Sequence, residues 1–260
     1  MNTMIELLGV RLDHPRGTTA APLVADANLK VGRGEVVVIV GSASAGTSRI
    51  VAAALGELAV SGGRIELMGR DVSRLRRSSL RLLRRRIGIV PQELCLVEDR
   101  SAQVNVALPL EIDGHPRSTT IVRAQEILTR LDLSSEASLP VDCLSGAERQ
   151  RVAVARALVR KPELVIADHP TSAQDPAGAE LVCTTFAELA EAGAAVLVLG
   201  RDPALLAMAE RLQWRQHHLI DGRLLEVVRS TVDEEVIVDI ESGSCNVVPF
   251  PLSARTAGVA

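Results

Sequence analysis

Residues 41–49 read GSASAGTSR, after the apolar run EVVVIV and before IVAAALGEL. A buried strand, a glycine-bearing turn and a helix form the setting in which backbone N–H groups cradle phosphate. Gly41 and Gly46 bracket the turn, Ser42, Ala43, Ser44 and Ala45 fill it, and Thr47, Ser48 and Arg49 follow. The Ser48 hydroxyl suits a Mg²⁺ ion. A loop of this type ordinarily has lysine just before that hydroxyl, a point charge on the β- and γ-phosphates. Thr47 stands in its place and cannot supply that charge. The chemistry offered is phosphate holding without a clamp.

The elements around the loop indicate an α/β chain. EVVVIV (35–40), ELVIAD (163–168) and AAVLVLG (194–200) are apolar, parallel-type strands. GGRIELMG and RIGIVPQ read as shorter strands, and IELLGVRLDH alternates loosely like an edge strand. Residues 47–58, 74–86, 118–131 and 147–160 have helical character, and a helix lies in DPAGAELVCTTFAELAEAG. LIDGRLLEV reads as a terminal hairpin, VDEEVIVDI (232–240) as one further strand, and 241–260 as a frayed polar end. Strands alternating with helices give an α/β sheet.

With 260 residues, 47% of them hydrophobic, the chain has enough apolar side chains for a sizeable core. Two Phe, one Trp and no Tyr mean that Val, Leu, Ile and Ala must build it. The net charge of −3 and the scarcity of aromatics argue against nucleic acid, despite the basic RLRRSSLRLLRRR. Cys95, Cys143, Cys183 and Cys245 match no metal spacing and are expected to be buried, reduced thiols. No apolar run approaches the ~20 residues of a membrane span. The N-terminus lacks the pattern of a signal peptide. The reading is a soluble, cytoplasmic protein.

Residues 144–176, LSGAERQRVAVARALVRKPELVIADHPTSAQDP, carry a further pattern. A Leu-Ser-Gly signature, a helix ending Ala-Arg-Ala-Leu, an apolar strand ending in Asp and a loop ending in Asp follow in order. Residues 86–114 add a strand, Gln92 within Pro-Gln, and Asn-Val-Ala-Leu-Pro-Leu. Together they resemble the ATP-binding subunit of ABC transporters, in particular its lipoprotein-release, macrolide-export and cell-division group. The resemblance spans roughly residues 4–226. It implies a P-loop NTPase fold of ABC ATPase type: a mixed sheet core, an antiparallel β subdomain and a helical signature subdomain. The expected division is 1–226 for the ATP-binding domain, with the helical subdomain at about 93–160, and 227–260 for a C-terminal extension.

The resemblance implies ATP and Mg²⁺ sandwiched between two head-to-tail subunits, each contributing half of each site. For the half-site around its own loop, the chain offers Gly41 to Arg49, Gln92, Asp168 and His14. Ser48, Gln92 and Asp168 are the residues placed at Mg²⁺. Four positions depart from the pattern. Thr47 replaces lysine, His169 the glutamate that polarises water, Arg201 the switch histidine, and His14 the aromatic that stacks on adenine. Ser44 stands at the middle glycine. Arg49 is expected to face the surface or a neighbouring chain, with a role as substitute cation as the alternative. The expectation is weak, non-hydrolysed ATP.

The half-site offered to a partner is better kept: Leu144, Ser145, Gly146, Ala147 and Glu148, with Asp175 beyond. Only Ala147 departs, by one methyl. Ser145 and the amides of Gly146 and Ala147 would cap the partner's γ-phosphate. The asymmetry implies a heterodimer with an intact ATP-binding subunit, held at the inner face of the membrane by a permease subunit. A homodimeric non-catalytic scaffold or regulatory module on a permease is one alternative. An ATPase rewired through Arg49, His169 and Arg201 is another. By the same resemblance the surface around Gln92 and 93–110 receives a coupling helix. Leu94, Leu96, Val97, Leu108 and Leu110 serve either that contact or the core.

Overall fold

The structure, a computed structural model, describes residues 3–14, 22–42, 46–229 and 235–238. The first part of the chain gives strands β1 (Thr3–Leu12), β2 (Val24–Gly32) and β3 (Val36–Gly41), then helix α1 (Thr47–Ala54). Strands β4 (Gly62–Leu67) and β5 (Arg70–Asp71), helix α2 (Arg77–Arg84) and strand β6 (Ile87–Val90) follow. Three helices come next: α3 (Ala102–Ile112), α4 (Arg117–Arg130) and α5 (Gly146–Leu158). The last part alternates β7 (Leu164–Asp168), α6 (Pro176–Glu191), β8 (Ala195–Leu199) and α7 (Pro203–Arg211). It then ends in β9 (Arg215–Ile220), β10 (Arg223–Arg229) and β11 (Glu235–Val238).

The strand order is β5-β4-β1-β2-β10-β9-β3-β8-β7-β6, with β11 on β10. Strands β6, β7, β8, β3 and β9 are mutually parallel. Strands β1, β2, β4 and β5 pair antiparallel. Every residue of β7 and β8 is buried, which explains their unbroken apolar runs. Strand β3 alternates between two cores: Val36 and Val38 face Phe186 and the helices, whereas Val37 and Ile39 face Met4 and the antiparallel strands.

Several expectations change. Strand β1 is not an edge: β2 flanks one side and β4 the other. The helix expected over 47–58 stops at Ala54, because Gly56 takes φ 68 just beyond the cap. The basic helix of 74–86 shortens to α2, since Leu75 and Arg76 are extended. Cys95 and Cys143 are exposed, and only Cys183 matches the buried-thiol expectation, its pKa pushed up to about 12 by burial. Cys245 lies outside the described residues, as do 241–260. Leu110 is core at 1% exposure, Leu94 and Leu96 pack against that core, and Val97 is exposed.

Gly88 shows how close the packing is. A Cβ there would lie 2.5 Å from the Ala157 carbonyl oxygen and 2.9 Å from Pro162 Cγ. Gly88→Ala is therefore expected to destabilise the fold by about 1–3 kcal/mol, as overpacking does. Urea unfolding measures it; a midpoint equal to wild type would contradict the contact.

Candidate functional site

The C-terminal ends of β3, β8, β7 and β6 lie along one edge of the parallel sheet. Ile39 and Asp168 both register with Leu199 on the strand between them. Turns leaving these ends carry Ser42, Gly200, His169 and Gln92, at the edge where open α/β sheets gather ligands.

Gly46 caps α1 from the left-handed region, at φ 94 and ψ 16, with no side-chain cap. That left-handed backbone is what calls for glycine; a Cβ there would also press on the Leu23 side chain, 2.7 Å from its Cδ2. The Arg49 and Ile50 amides donate to Gly46 O at 3.0 and 3.1 Å, which leaves the amides of Thr47 and Ser48 without an intrahelical acceptor. Thr47 is buried, while Ser48 is exposed. Ala43, Ser44 and Ala45 lie outside the described residues. Ser48 Oγ donates to Gln92 Oε1 at 3.3 Å. Two of the three residues placed at Mg²⁺ thus meet. With Asp168 they form an oxygen-only set of the kind hard divalent cations take, so these residues fit Mg²⁺.

Arg49 lies at a half-buried place on the surface, where it was expected to point outward or to a neighbouring chain. It is partly buried, its Nη2 donates to the Asp13 carbonyl at 3.3 Å, and its buried Nε has no partner among the described residues. The guanidinium belongs to the exit of β1, beside exposed His14.

Asp168 is 4% exposed. His169 Nδ1 lies 2.8 Å from Asp168 Oδ1. As neutral imidazole donating from Nδ1, the ring keeps Nε2 as its acceptor. The His169 backbone is left-handed at φ 53. Its N–H donates to Leu199 O at 2.6 Å and its carbonyl accepts Gln150 Nε2 at 2.8 Å. Arg201 is exposed, without a hydrogen-bond or ion-pair partner among the described residues. Asp202, beside it, caps α7 through Leu205 N at 2.9 Å and accepts Thr171 Oγ1 at 2.9 Å.

The signature forms the start of α5. Leu144 is buried, and Ser145 and Gly146 are exposed. Ser145 and Glu148 make a reciprocal capping box: Ser145 Oγ accepts Glu148 N at 3.2 Å, and Ser145 N donates to Glu148 Oε2 at 2.7 Å. Hydrogen bonds from the Ser145 hydroxyl and amide hold the Glu148 carboxyl below its usual range. The Ser-x-x-Glu spacing is a legible capping signal. Asp175 caps α6 by accepting Gly178 N at 2.8 Å. Gln150, Thr171, Gln174 and Asp202 position this face and were not singled out in the sequence. The Asp-Pro pairs opening α6 and α7 could have marked Asp202 as a cap.

The ABC transporter family profile matches residues 24–172. The chain belongs to the ABC transporter family. Over 207 residues this ABC transporter ATP-binding domain is 38% identical to the lipoprotein-releasing system ATP-binding protein LolD of Neorickettsia sennetsu, covering 77% of this chain and 89% of that protein. It is 35% identical to the macrolide export ATP-binding/permease protein MacB of Salmonella choleraesuis, over 82% of this chain and 33% of that protein. The chain therefore spans about a third of the length of the macrolide-export relatives it matches. Its fold superposes on the ATP-binding cassette MJ0796, a dimer in a post-hydrolysis state bound to ADP and Pi, with TM-score 0.78 and 29% identity, covering 85% of this chain and 96% of that one. The ABC ATPase fold read from the sequence is thus the fold observed. No helix among the described residues is long and apolar enough to cross a membrane.

Proposed function

We propose that this domain is the weak half of an asymmetric ABC transporter ATPase. It holds ATP and Mg²⁺ loosely at its own loop and presents its signature to an intact ATP-binding subunit. The observation that carries this is the Arg49 contact. The cation nearest the loop in sequence donates to the Asp13 carbonyl at the exit of β1, and the position just before Ser48 carries the Thr47 hydroxyl and no charge. A bound Mg²⁺–ATP would supply the phosphoryl group and its charge neutralisation. This chain's part would be to hold phosphate through backbone N–H groups and to place Ser48, Gln92 and Asp168 at the cation. With His169 on Asp168 Oδ1, that oxygen already has a hydrogen-bond donor. Ser145 and Gly146 stay exposed at the start of α5, preorganised by the capping box, as a face for a second subunit requires. The named relatives support a permease partner, and hence a place at the inner face of a membrane.

The purified chain is expected to release phosphate from ATP at a negligible rate. Mixed with its intact partner subunit, ATPase should appear and fall at least about a hundredfold on Ser145→Ala, the scale of losing one transition-state donor. Robust turnover by the lone chain would defeat the proposal.

The Asp168–His169 pair supports one second reading. A carboxylate that orients an imidazole makes its far nitrogen a general base, so a rewired ATPase would run through His169. In that case the lone chain turns over ATP and His169→Ala abolishes it.

A further inference from the structure

Gln150 is 3% exposed and uses its whole amide. Its Nε2 donates to His169 O at 2.8 Å and Ser172 Oγ at 3.1 Å; its Oε1 accepts Ala173 N at 3.1 Å and Gln174 Nε2 at 3.0 Å. Gln174 continues the chain of bonds. Its Nε2 also donates to Ala147 O at 2.8 Å, and its Oε1 accepts Arg151 Nη1 at 3.2 Å. The carbonyl end sits where α6 has no side chain: a Cβ on Gly178 would lie 2.4 Å from Gln174 Oε1. Side chain, acceptor and vacated space thus fit one another at a position where a plain loop residue would suffice to turn the chain.

Joined end to end, these bonds run from the peptide of His169 to the carbonyl of Ala147. The first belongs to the chain's own phosphate side, the second to the exposed start of α5. No other side chain among the described residues reaches the Ala147 carbonyl by a hydrogen bond. We propose that Gln174 is a positioning residue that clamps the start of α5 to the 169–175 loop, so that both move as one body. A displacement of the His169 turn would then be carried to Ser145 and Gly146. Buried amide networks with every group satisfied are rigid, and removing one partner leaves another unpaired. The functional arm below rests on the reading that this face is offered to a second subunit; the structural arm does not.

Amide hydrogen exchange on the purified wild-type chain and on Gln174→Leu and Gln174→Glu tests the clamp. Neither variant can donate to Ala147 O, and both are close to glutamine in size. Exchange should accelerate at least about tenfold in 144–150 and in 171–175 together, with 152–158 and β7 unchanged. Unchanged exchange in 144–150 overturns the proposal. So does acceleration throughout α5 and β7, which would mean general destabilisation. In a chain also carrying Thr47→Lys, His169→Glu and Arg201→His, Gln174→Leu should lower kcat about tenfold and leave KM for ATP within twofold. Equal effects on both would overturn the positioning role. A background without ATPase would count against the asymmetric reading, and exchange would still decide the clamp.

Discussion

Thr47→Lys, His169→Glu and Arg201→His, combined in one chain, are expected to raise ATP hydrolysis by the purified protein about 10²–10³-fold over wild type. The scale is that of restoring one preorganised electrostatic contact to a transition state. The gain should belong to the set, because residues acting on one reacting phosphate are strongly non-additive. Thr47→Lys alone restores charge at the start of α1 and should chiefly tighten nucleotide binding. His169→Glu alone removes the imidazole from Asp168 Oδ1 but leaves the phosphates unclamped. The described residues at the start of α1 suit the change: Gly46 is left-handed and Ser48 meets Gln92 at 3.3 Å. Ser145 and Gly146 on a second copy would complete each site, so the activity should rise with the square of dilute protein concentration. Phosphate release is the measurement. A folded, dimerising triple variant that remains inactive would show that the impairment lies elsewhere, Ala147 being the first position to examine.

Acid is expected to weaken the fold well before carboxylates begin to protonate. His217 in β9 is 3% exposed, and its Nδ1 has no partner among the described residues. Burial pushes its pKa down to about 4; Glu226 opposes the shift, and Arg215 and His218 add to it. The unfolded chain takes up this proton near pH 6.5 and the folded chain does not. The stabilisation is therefore complete above pH 6.5 and is lost as pH falls from 6.5 towards 4. A shift of this size corresponds to at most about 3 kcal/mol. Urea midpoints should fall between pH 7 and pH 4.5 in wild type, and the slope over that window should flatten in His217→Gln. An identical slope in the variant would assign the acid lability to other groups.

The site was legible where local chemistry dictates local shape. Ser145 and Glu148 announce a capping box, and a glycine turn between a β-branched run and a helix announces the phosphate loop. The unbroken apolar runs of β7 and β8 announce burial on both faces. What escaped was set by distant parts of the chain. Strand β1 looked like an edge because its alternation is interrupted: the register shifts near Gly9, where φ is 57 and the amide donates to Asn28 Oδ1 at 2.7 Å. Strand β2 was not read from the sequence at all, although buried Val24, Ala27, Leu29 and Val31 lie along it. Helix α3 was obscured by Pro109 within it and by Asn105, a buried polar residue that holds Val97 by two hydrogen bonds at 2.7 and 2.9 Å. Arg49 could not be placed from sequence because its acceptor, Asp13 O, lies 36 residues earlier in the chain, just beyond β1.

Strand β3, which delivers the phosphate loop, pairs on one side with β8 and on the other with β9. Those partners lie roughly 160 or more positions later in the chain. During synthesis at ~5–20 residues per second, β3 therefore waits on the order of 10–30 s for its first neighbour. Throughout that interval a β-branched segment with two open edges is available to other nascent chains. The setting of the loop is thus among the last features a ribosome-bound chain acquires, because Gly41, where the loop begins, pairs with Leu219 on β9.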